Sequence, residues 1–581
     1  MQGWTRRWTD PADESTEGPL HERVARARGI KLENLKRFCS PTVDDIVSPS
    51  ALPGAREVAT GLVCAIRAGR EIAIYGDYDA DGMCAAAILV QAIRAVRPEA
   101  HPHVQIPERR SEGYGLSIAS LEALAQRGVK TVVTVDCGIT GFAEAARAKA
   151  LGLELLITDH HALDPTGALP AAAAIAHPSF NAELGEVCGA AVAWLVACAL
   201  MEEWCAGAPM PLRMSTTLAE MVGLAALGTV ADVMPLVGLS RSIAAVGLAQ
   251  LNRTRLPGIV ALRSGGGVRA HERVDAEAVS FRLAPLLNAC GRLGAPADAV
   301  ELLSFPSSTD RTSASAAHTT RAGKLVSQFA ALNAKRKEME RQIVQDATRR
   351  IDEGFGAARG ALVLSSGDWS RGVVGIACAR LAETVGAPVV LLEVIDGVAH
   401  GSGRSVPGYS ILEGLRSCAG LLERFGGHAS AAGVSVKVEN VGAFREALSS
   451  HAAANASQRG LAPIGADAVV RALDIDVRAL ESLDALGPFG HGFPHPTLLL
   501  RGAIIRSEPE AFGAAGDHLR FFAAHPDRPD REFRCIWWRQ SAMKRRMHRG
   551  ARVHLVGCAQ VDRYGSQPKP AFRVLDIADA E

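Results

Sequence analysis

The chain has 581 residues, too many for one hydrophobic core, so three or four packed units are expected. Its 63 basic and 62 acidic residues leave a net charge of +1, which excludes a global field that would advertise a polyanionic partner. Hydrophobic residues are 48% and charged residues 22%, which excludes a disordered or fibrous chain. The 12 cysteines form no Cys-x-x-Cys pair, so neither a zinc site nor a redox motif is indicated. Cys84, Cys137 and Cys290 stand beside small or apolar residues, as buried thiols of a reducing cytoplasm would. No apolar h-region follows Met1, so no secretory signal is expected. The longest apolar run, Val187–Met201, is too short to span a bilayer and reads as a buried helix, so no membrane association is expected.

In chain order, residues 1–54 are polar and basic and read as a helical cap. From Glu71 a repeating order begins: EIAIYGD, then a helical MCAAAILVQAIRAV; TVVTVD, then GFAEAARAKALG; and LELLITDHH. Apolar strands alternating with amphipathic helices predict a parallel α/β sheet within a catalytic domain over 55–309. In such sheets ligands bind beyond the carboxyl ends of the strands, and here those ends carry aspartate and histidine. Residues 310–354 read as one long helix, with Leu325, Phe329, Leu332, Met339, Ile343 and Ile351 at three- and four-residue steps. A helix of that length is expected to act as a spacer between two regions. A second α/β unit follows over 355–460, opening with GALVLSSGDWSRGVVGIACARLAETVGAPVVLL. The tail, 461–581, holds five short strands that suit a small OB-like barrel or a generic β-sandwich.

The densest chemistry is GDYDADG, with Asp77, Asp79 and Asp81 within five residues at a strand end. Three such carboxylates repel one another and lose hydration unless a cation pairs with them. An acidic solvated turn explains a lone DxDxD as well as a metal does, and an EF-hand loop lacks its downstream glutamate here. Two further strand ends weigh against the bland reading. Asp136 follows TVVTV, and Asp159-His160-His161 follows LELLIT. A single aspartate there could cap a helix, but an Asp-His-His triplet is hard to explain that way. Asp232, in GTVADVMP, adds another carboxylate. Five or six carboxylate and imidazole ligands suit two ions of Mn²⁺ or Mg²⁺, with a place for Zn²⁺ or Fe²⁺ by histidine content.

GDYDADG, VTVDCGIT, TDHH and GTVADVMPL stand in the order and spacing of the DHH phosphoesterase motifs. The later FRLAPLLNACGRLG, GSGRS and FGGHASAAG resemble the RecJ exonucleases specifically, and the resemblance covers about Glu71 to Gly487. It implies a parallel-sheet DHH domain joined by the long helix to a second α/β, DHH-associated domain across a cleft, with a C-terminal small β-barrel. It implies two catalytic ions, normally Mn²⁺ or Mg²⁺. Asp136 would bridge them, Asp79 and Asp81 would take one each, and His160 and Asp232 would complete the ligand set. Asp77 would be either a direct ligand or a hydrogen-bond acceptor behind one. His161 would contact phosphate and Asp159 would orient the histidine pair. Arg282, Asn288 and Arg292 would face the scissile phosphate, and Arg109 would lie near the 5′ end of the substrate. Arg404, Ser405, Gly427 and His428 would contribute from the second domain, although GGHASAAG alone reads as a tight turn into a strand.

The activity so implied is 5′-to-3′ exonucleolytic hydrolysis of single-stranded DNA to 5′-mononucleotides, in repair and recombination. Partners of the single-strand-binding-protein and RecQ-type helicase kinds come with it. Trp537 and Trp538, among arginines in REFRCIWWRQ, are stacking candidates for bases. Neighbours on a strand face opposite ways, so one of the two belongs to the core. A DHH phosphodiesterase acting on short oligoribonucleotides or cyclic dinucleotides shares the metal motifs but lacks a β tail of this size. A pyrophosphatase would leave the tail idle, and a catalytically dead scaffold sits badly with intact Asp79, Asp81, Asp136, His160 and Asp232.

Overall fold

A computed structural model describes residues 1–11, 17–107, 115–306, 313–354, 360–455, 463–513, 516–563 and 567–580. The chain divides into two compact units. One comprises residues 47–232 and 247–460, the other residues 1–46, 233–246 and 461–581.

The larger unit holds two sheets. The first is parallel throughout, built from β1 (Ile72–Tyr75), β2 (His103–Gln105), β3 (Thr131–Val135), β4 (Glu154–Thr158) and β5 (Ala174–Ala176) in the order β2-β1-β3-β4-β5. β1 and β3 are buried along their whole length, as the unbroken IAIY and TVVTV runs require. Helices α1 (Ala80–Val96) and α2 (Gly189–Cys205) pack beside them, and α2 is buried from Gly189 to Met201, as the apolar run predicts. Helix α3 (Leu212–Ala231) packs on α1 and ends at Asp232. Among the described residues it alone is long and apolar enough to cross a membrane by length and composition, and 61% of that stretch is buried inside the protein.

The predicted long helix is α5 (Ser313–Asp352), with residues 310–312 outside the described ones. It is more than a spacer. Leu325 and Phe329 are buried in its first half, which packs on α4 (Ala284–Leu293), and Ile343 and Ala347 join the core of the second sheet. That sheet orders β9 (Arg424–Gly427), β10 (Ala431–Lys437), β8 (Val398–Arg404), β7 (Val389–Ile395) and β6 (Leu362–Ser366), with only β6 and β7 parallel. Helix α6 (Arg371–Val385) crosses over between those two.

The smaller unit is built on a closed five-stranded ring of β11 (Leu498–Ile505), β14 (Arg552–Asp562), β15 (Lys569–Asp579), β13 (Arg528–Trp537) and β12 (His518–His525), which returns to β11. Closure settles the tail as a barrel rather than a sandwich. The first residues are not a separate cap. Trp8–Thr9 pairs in parallel with Ile464–Gly465, and Leu20, Val24 and Ala25 lie in the barrel's hydrophobic core. Asp576, fully buried on β15, accepts hydrogen bonds from the Thr5 and Arg6 amides (3.1 and 3.0 Å) and from the Trp8 indole (2.9 Å). In LGPFGHGFPHP the carbonyls of Leu486, Gly487 and Pro488 all accept from the Arg241 guanidinium.

Candidate metal centre

The carboxyl edge of the parallel sheet gathers the predicted groups. After β1 the chain turns through Asp77 and Asp79 into α1. Asp79 is the N-cap, its Oδ1 accepting from the amides of Asp81 (2.9 Å) and Gly82 (3.0 Å). Asp81 accepts from the amides of Gly189 (2.6 Å) and Ala190 (2.9 Å), which places its charge at the N-terminus of α2. Asp136 leaves β3 with φ of 62°, a left-handed conformation that aspartate tolerates better than most residues. His160 Nε2 lies 2.9 Å from Asp136 Oδ1, 3.7 Å from Asp232 Oδ2 and 3.9 Å from Asp81 Oδ2.

These side chains form overlapping triads whose ligand atoms lie within 4.8 Å of one another: Asp77, Asp79 and Asp136; Asp81, His160 and Asp232; Asp136, His160 and His161. Asp159 is fully buried between the histidines and the sheet. Its Oδ1 accepts from the His160 amide (2.7 Å), the His161 amide (3.2 Å) and His161 Nδ1 (2.8 Å), while Oδ2 accepts from the Ile139 amide (3.0 Å).

The electrostatics describe a site short of positive charge. Burial, then the charges of Asp81 and Asp79, push the Asp136 carboxyl well above the usual range. Burial and Asp81 raise Asp79, and burial with Asp81 and Asp79 pushes Asp232 up to about 8. Burial would raise Asp159 too, but the hydrogen bond and charge of His161 outweigh it and hold that carboxyl low. Burial lowers His160. His161 rises to about 9, because Asp159's hydrogen bond and charge overcome its burial. A divalent cation would relieve the repulsion among Asp77, Asp79, Asp81, Asp136 and Asp232, and the mixed carboxylate–imidazole donor set suits Mn²⁺ or Mg²⁺.

Around the cluster, Asn288 on α4 accepts from the Ala80 amide (2.8 Å), so it braces the DxDxD turn. Arg292, on the same helix, donates to the Gly372 carbonyl on α6 (3.0 Å) and links the two sheets' helices. Arg282 lies in a π-helical turn, Val279–Leu283, where its guanidinium holds Glu272 and the carbonyls of Gly266 and Gly267. A phosphate reaching Arg282 would compete with Glu272. Arg404 donates to Ser402 Oγ (2.7 Å) and the Gly403 carbonyl, and Ser405 Oγ donates to the Tyr409 carbonyl (2.6 Å). Gly427 ends β9, and the exposed His428 closes the turn into β10 through its amide (2.8 Å to the Ala431 carbonyl). Arg109 lies outside the described residues.

The two tryptophans divide as strand alternation demands. Trp537 is 2% exposed in the barrel core, which removes it as a stacking surface, whereas Trp538 is 49% exposed against Phe512 and His518. Sequence reasoning missed three residues. A Cβ at Gly189 would overlap the Asp136 carboxylate, and one at Gly228 would overlap Asp81, so both positions need glycine for close approach. His177 follows β5 as Asp159 follows β4. Its preceding strand is only three residues long and alanine-rich, too weak a signal to read as a strand.

Comparison with known proteins matches residues 71–229 to the DHH family N-terminal domain, 359–454 to the DHHA1 domain and 466–576 to the RecJ OB domain. The single-stranded-DNA-specific exonuclease RecJ of Bacillus subtilis is 31% identical over 572 residues, covering 97% of this chain and 68% of the relative. The chain belongs to the RecJ family. The Escherichia coli RecJ is 30% identical, with 82% of each chain covered, and the Thermus thermophilus RecJ 34%, covering 82% of this chain and 66% of that one. The solved RecJ of Thermus thermophilus in complex with Mn²⁺ superposes with a TM-score of 0.76 at 28% identity, over 96% of this chain and 76% of that one. The Mg²⁺ form gives 0.71 at 27% identity. The DHH, DHH-associated and OB-like arrangement expected for a RecJ chain is the one found.

Proposed function

We propose that this RecJ-family chain is a single-stranded-DNA exonuclease that hydrolyses phosphodiester bonds from the 5′ end with two Mn²⁺ or Mg²⁺ ions. The observation that carries it is the pair of triads, Asp77–Asp79–Asp136 and Asp81–His160–Asp232, set beside each other through the 2.9 Å approach of His160 to Asp136. These residues would hold the ions, with Asp136 shared between them. Bound as a pair, the ions activate a water and take up charge on the phosphoryl group. Asp159 fixes His161 through Nδ1, which leaves its other ring nitrogen to face a phosphate oxygen. Asn288 holds the turn that carries Asp79 and Asp81. Arg404 and Ser405 are assigned to the 5′-terminal phosphate, and Trp538 to a base held on the barrel. Partners of the single-strand-binding-protein and RecQ-type helicase kinds, and a cytoplasmic location suited to twelve free thiols, complete the proposal.

The test gives the purified protein, with Mn²⁺, single strands labelled at either end, a blunt duplex, a dinucleotide and a cyclic dinucleotide. Early mononucleotide release of the 5′ label is expected. Preferential 3′ release, equal digestion of duplex, or preference for the cyclic dinucleotide would overturn the assignment. Arg404→Ala should cut cleavage of 5′-phosphorylated strands about tenfold more than that of 5′-hydroxyl strands.

A further inference from the structure

The carboxyl edge of the catalytic sheet carries one imidazole that the reaction scheme leaves unused. His177 is fully buried at the end of β5, next to the strand that ends in Asp159, His160 and His161. Its Nδ1 lies 3.1 Å from the Ser179 amide. That N–H can only donate, so Nδ1 carries the lone pair and the ring proton sits on Nε2. Nε2 lies 2.9 Å from the His161 carbonyl oxygen and donates to it.

The bond matters because of where His161 stands. β4 ends at Thr158, so no strand ladder fixes the backbone of His161. Its amide and its Nδ1 both lean on one atom, Asp159 Oδ1, at 3.2 and 2.8 Å. Those two bonds and the His160 ring, 4.4 Å from its own, hold His161 on its amide and side-chain sides. The His177 bond adds an anchor on the carbonyl side and so helps to fix where the remaining ring nitrogen points.

We propose that His177 is a positioning residue for His161: its Nε2–H holds the His161 carbonyl and so aims the imidazole that meets the phosphate. This rests on the phosphate-contact reading of His161. A histidine that serves only its own turn would need Nδ1, which caps the Pro178–Phe180 turn through Ser179, and would have no use for Nε2. The two bonds can therefore be separated chemically. Asparagine places an acceptor oxygen where Nδ1 stands but is too short to reach His161. Glutamine reaches the His161 carbonyl with an amide N–H but offers Ser179 nothing.

The experiment measures kcat and KM on a 5′-labelled single strand, with Mn²⁺, for the full chain carrying His177→Asn, His177→Gln, His161→Ala and His161→Ala with His177→Asn. Melting curves and Mn²⁺ titrations accompany each variant. His177→Asn should lower kcat about ten- to a hundredfold, as misaimed catalytic groups do, with KM and Mn²⁺ affinity within about twofold. His177→Gln should stay within about threefold of wild type. In the His161→Ala background, His177→Asn should cost nothing further, because its effect passes through a side chain already gone.

A wild-type rate for Asn with a slow Gln variant would make His177 a turn cap and overturn the proposal. Multiplying losses in the double variant would overturn it too. Should the Asn variant not fold, Gln carries the test alone: near-normal turnover supports the bond, and a hundredfold loss overturns it. Full activity of His161→Ala would sink the reading of His161 itself, and the proposal with it. A slow His161→Ala beside an unaffected His177→Asn would overturn only the positioning role.

Discussion

Asp136, at the edge of the catalytic sheet, and Asp576, inside the barrel unit, are equally hidden from water, at 2% and 0% exposure. Their surroundings have opposite characters. Asp576 meets three N–H donors, from Thr5, Arg6 and Trp8, so its charge is solvated by the protein itself. Asp136 meets the charges of Asp81, Asp79, Asp77 and Asp159; the nearer imidazole, His160 at 2.9 Å, is held towards neutrality by burial, and His161 stands farther off at 3.9 Å, bonded to Asp159. A buried carboxylate ringed by donors is a structural tie. One ringed by other carboxylates is a demand for a cation, and the difference lies in the neighbours rather than in the depth.

The comparison breaks most visibly at Asp136. Asp136→Ala should reduce nuclease activity at least about a thousandfold, the scale on which charge-stabilising groups act. With metal chelated, the variant should melt no lower than the wild type, since a repelled carboxylate has been removed. A clear loss of melting temperature in chelator would place Asp136 with the structural carboxylates. Asp576→Ala should do the reverse. Leaving three donors unpaired in the barrel unit should cost roughly 3 kcal/mol in a denaturant titration. Mn²⁺ affinity should not move, and a weakened Mn²⁺ isotherm would contradict the distinction.

A smaller effect separates the two tryptophans. Trp538→Ala should weaken binding of long single strands by roughly 1–3 kcal/mol at constant melting temperature. A melting temperature that falls while affinity holds would make Trp538 a packing residue. The smallest effect concerns pH. Asp232, raised to about 8 in the folded chain, keeps its proton where the unfolded chain has lost it. Its contribution to stability is therefore full below about pH 4 and is lost as pH rises through about 8. Melting temperatures of chelated protein should fall over that window, and Asp232→Asn should flatten the slope. An unchanged slope would show that Asp232 does not titrate there.

The strand-end aspartates were legible because a buried strand that stops on a charge is chemically conspicuous: TVVTV before Asp136 and LELLIT before Asp159 need no tertiary knowledge. Trp537 and Trp538 were legible as a pair, since alternation sends one inward, but not which. The pairing of Arg282 with Glu272 was not legible, because the two lie ten residues apart with a turn between them that carries no periodic signal. Gly189 and Gly228 look like ordinary small residues on apolar helices, and only the packing of those helices onto Asp136 and Asp81 gives them meaning. The first residues looked like a cap of their own because nothing local announces that Trp8–Thr9 will pair with Ile464–Gly465.

That last pairing has a consequence for biosynthesis. The Trp8 indole and its acceptor on Asp576 are 568 positions apart along the chain. At the roughly 5–20 residues per second of ribosomal elongation, the leading segment waits about half a minute to two minutes for its partner. Throughout that interval Leu20, Val24 and Ala25 have no barrel core to enter, while residues 47–232 and 247–460 emerge in between. Residues 1–46 are therefore made ahead of the larger unit, yet they can meet their barrel partners only after that unit has been made.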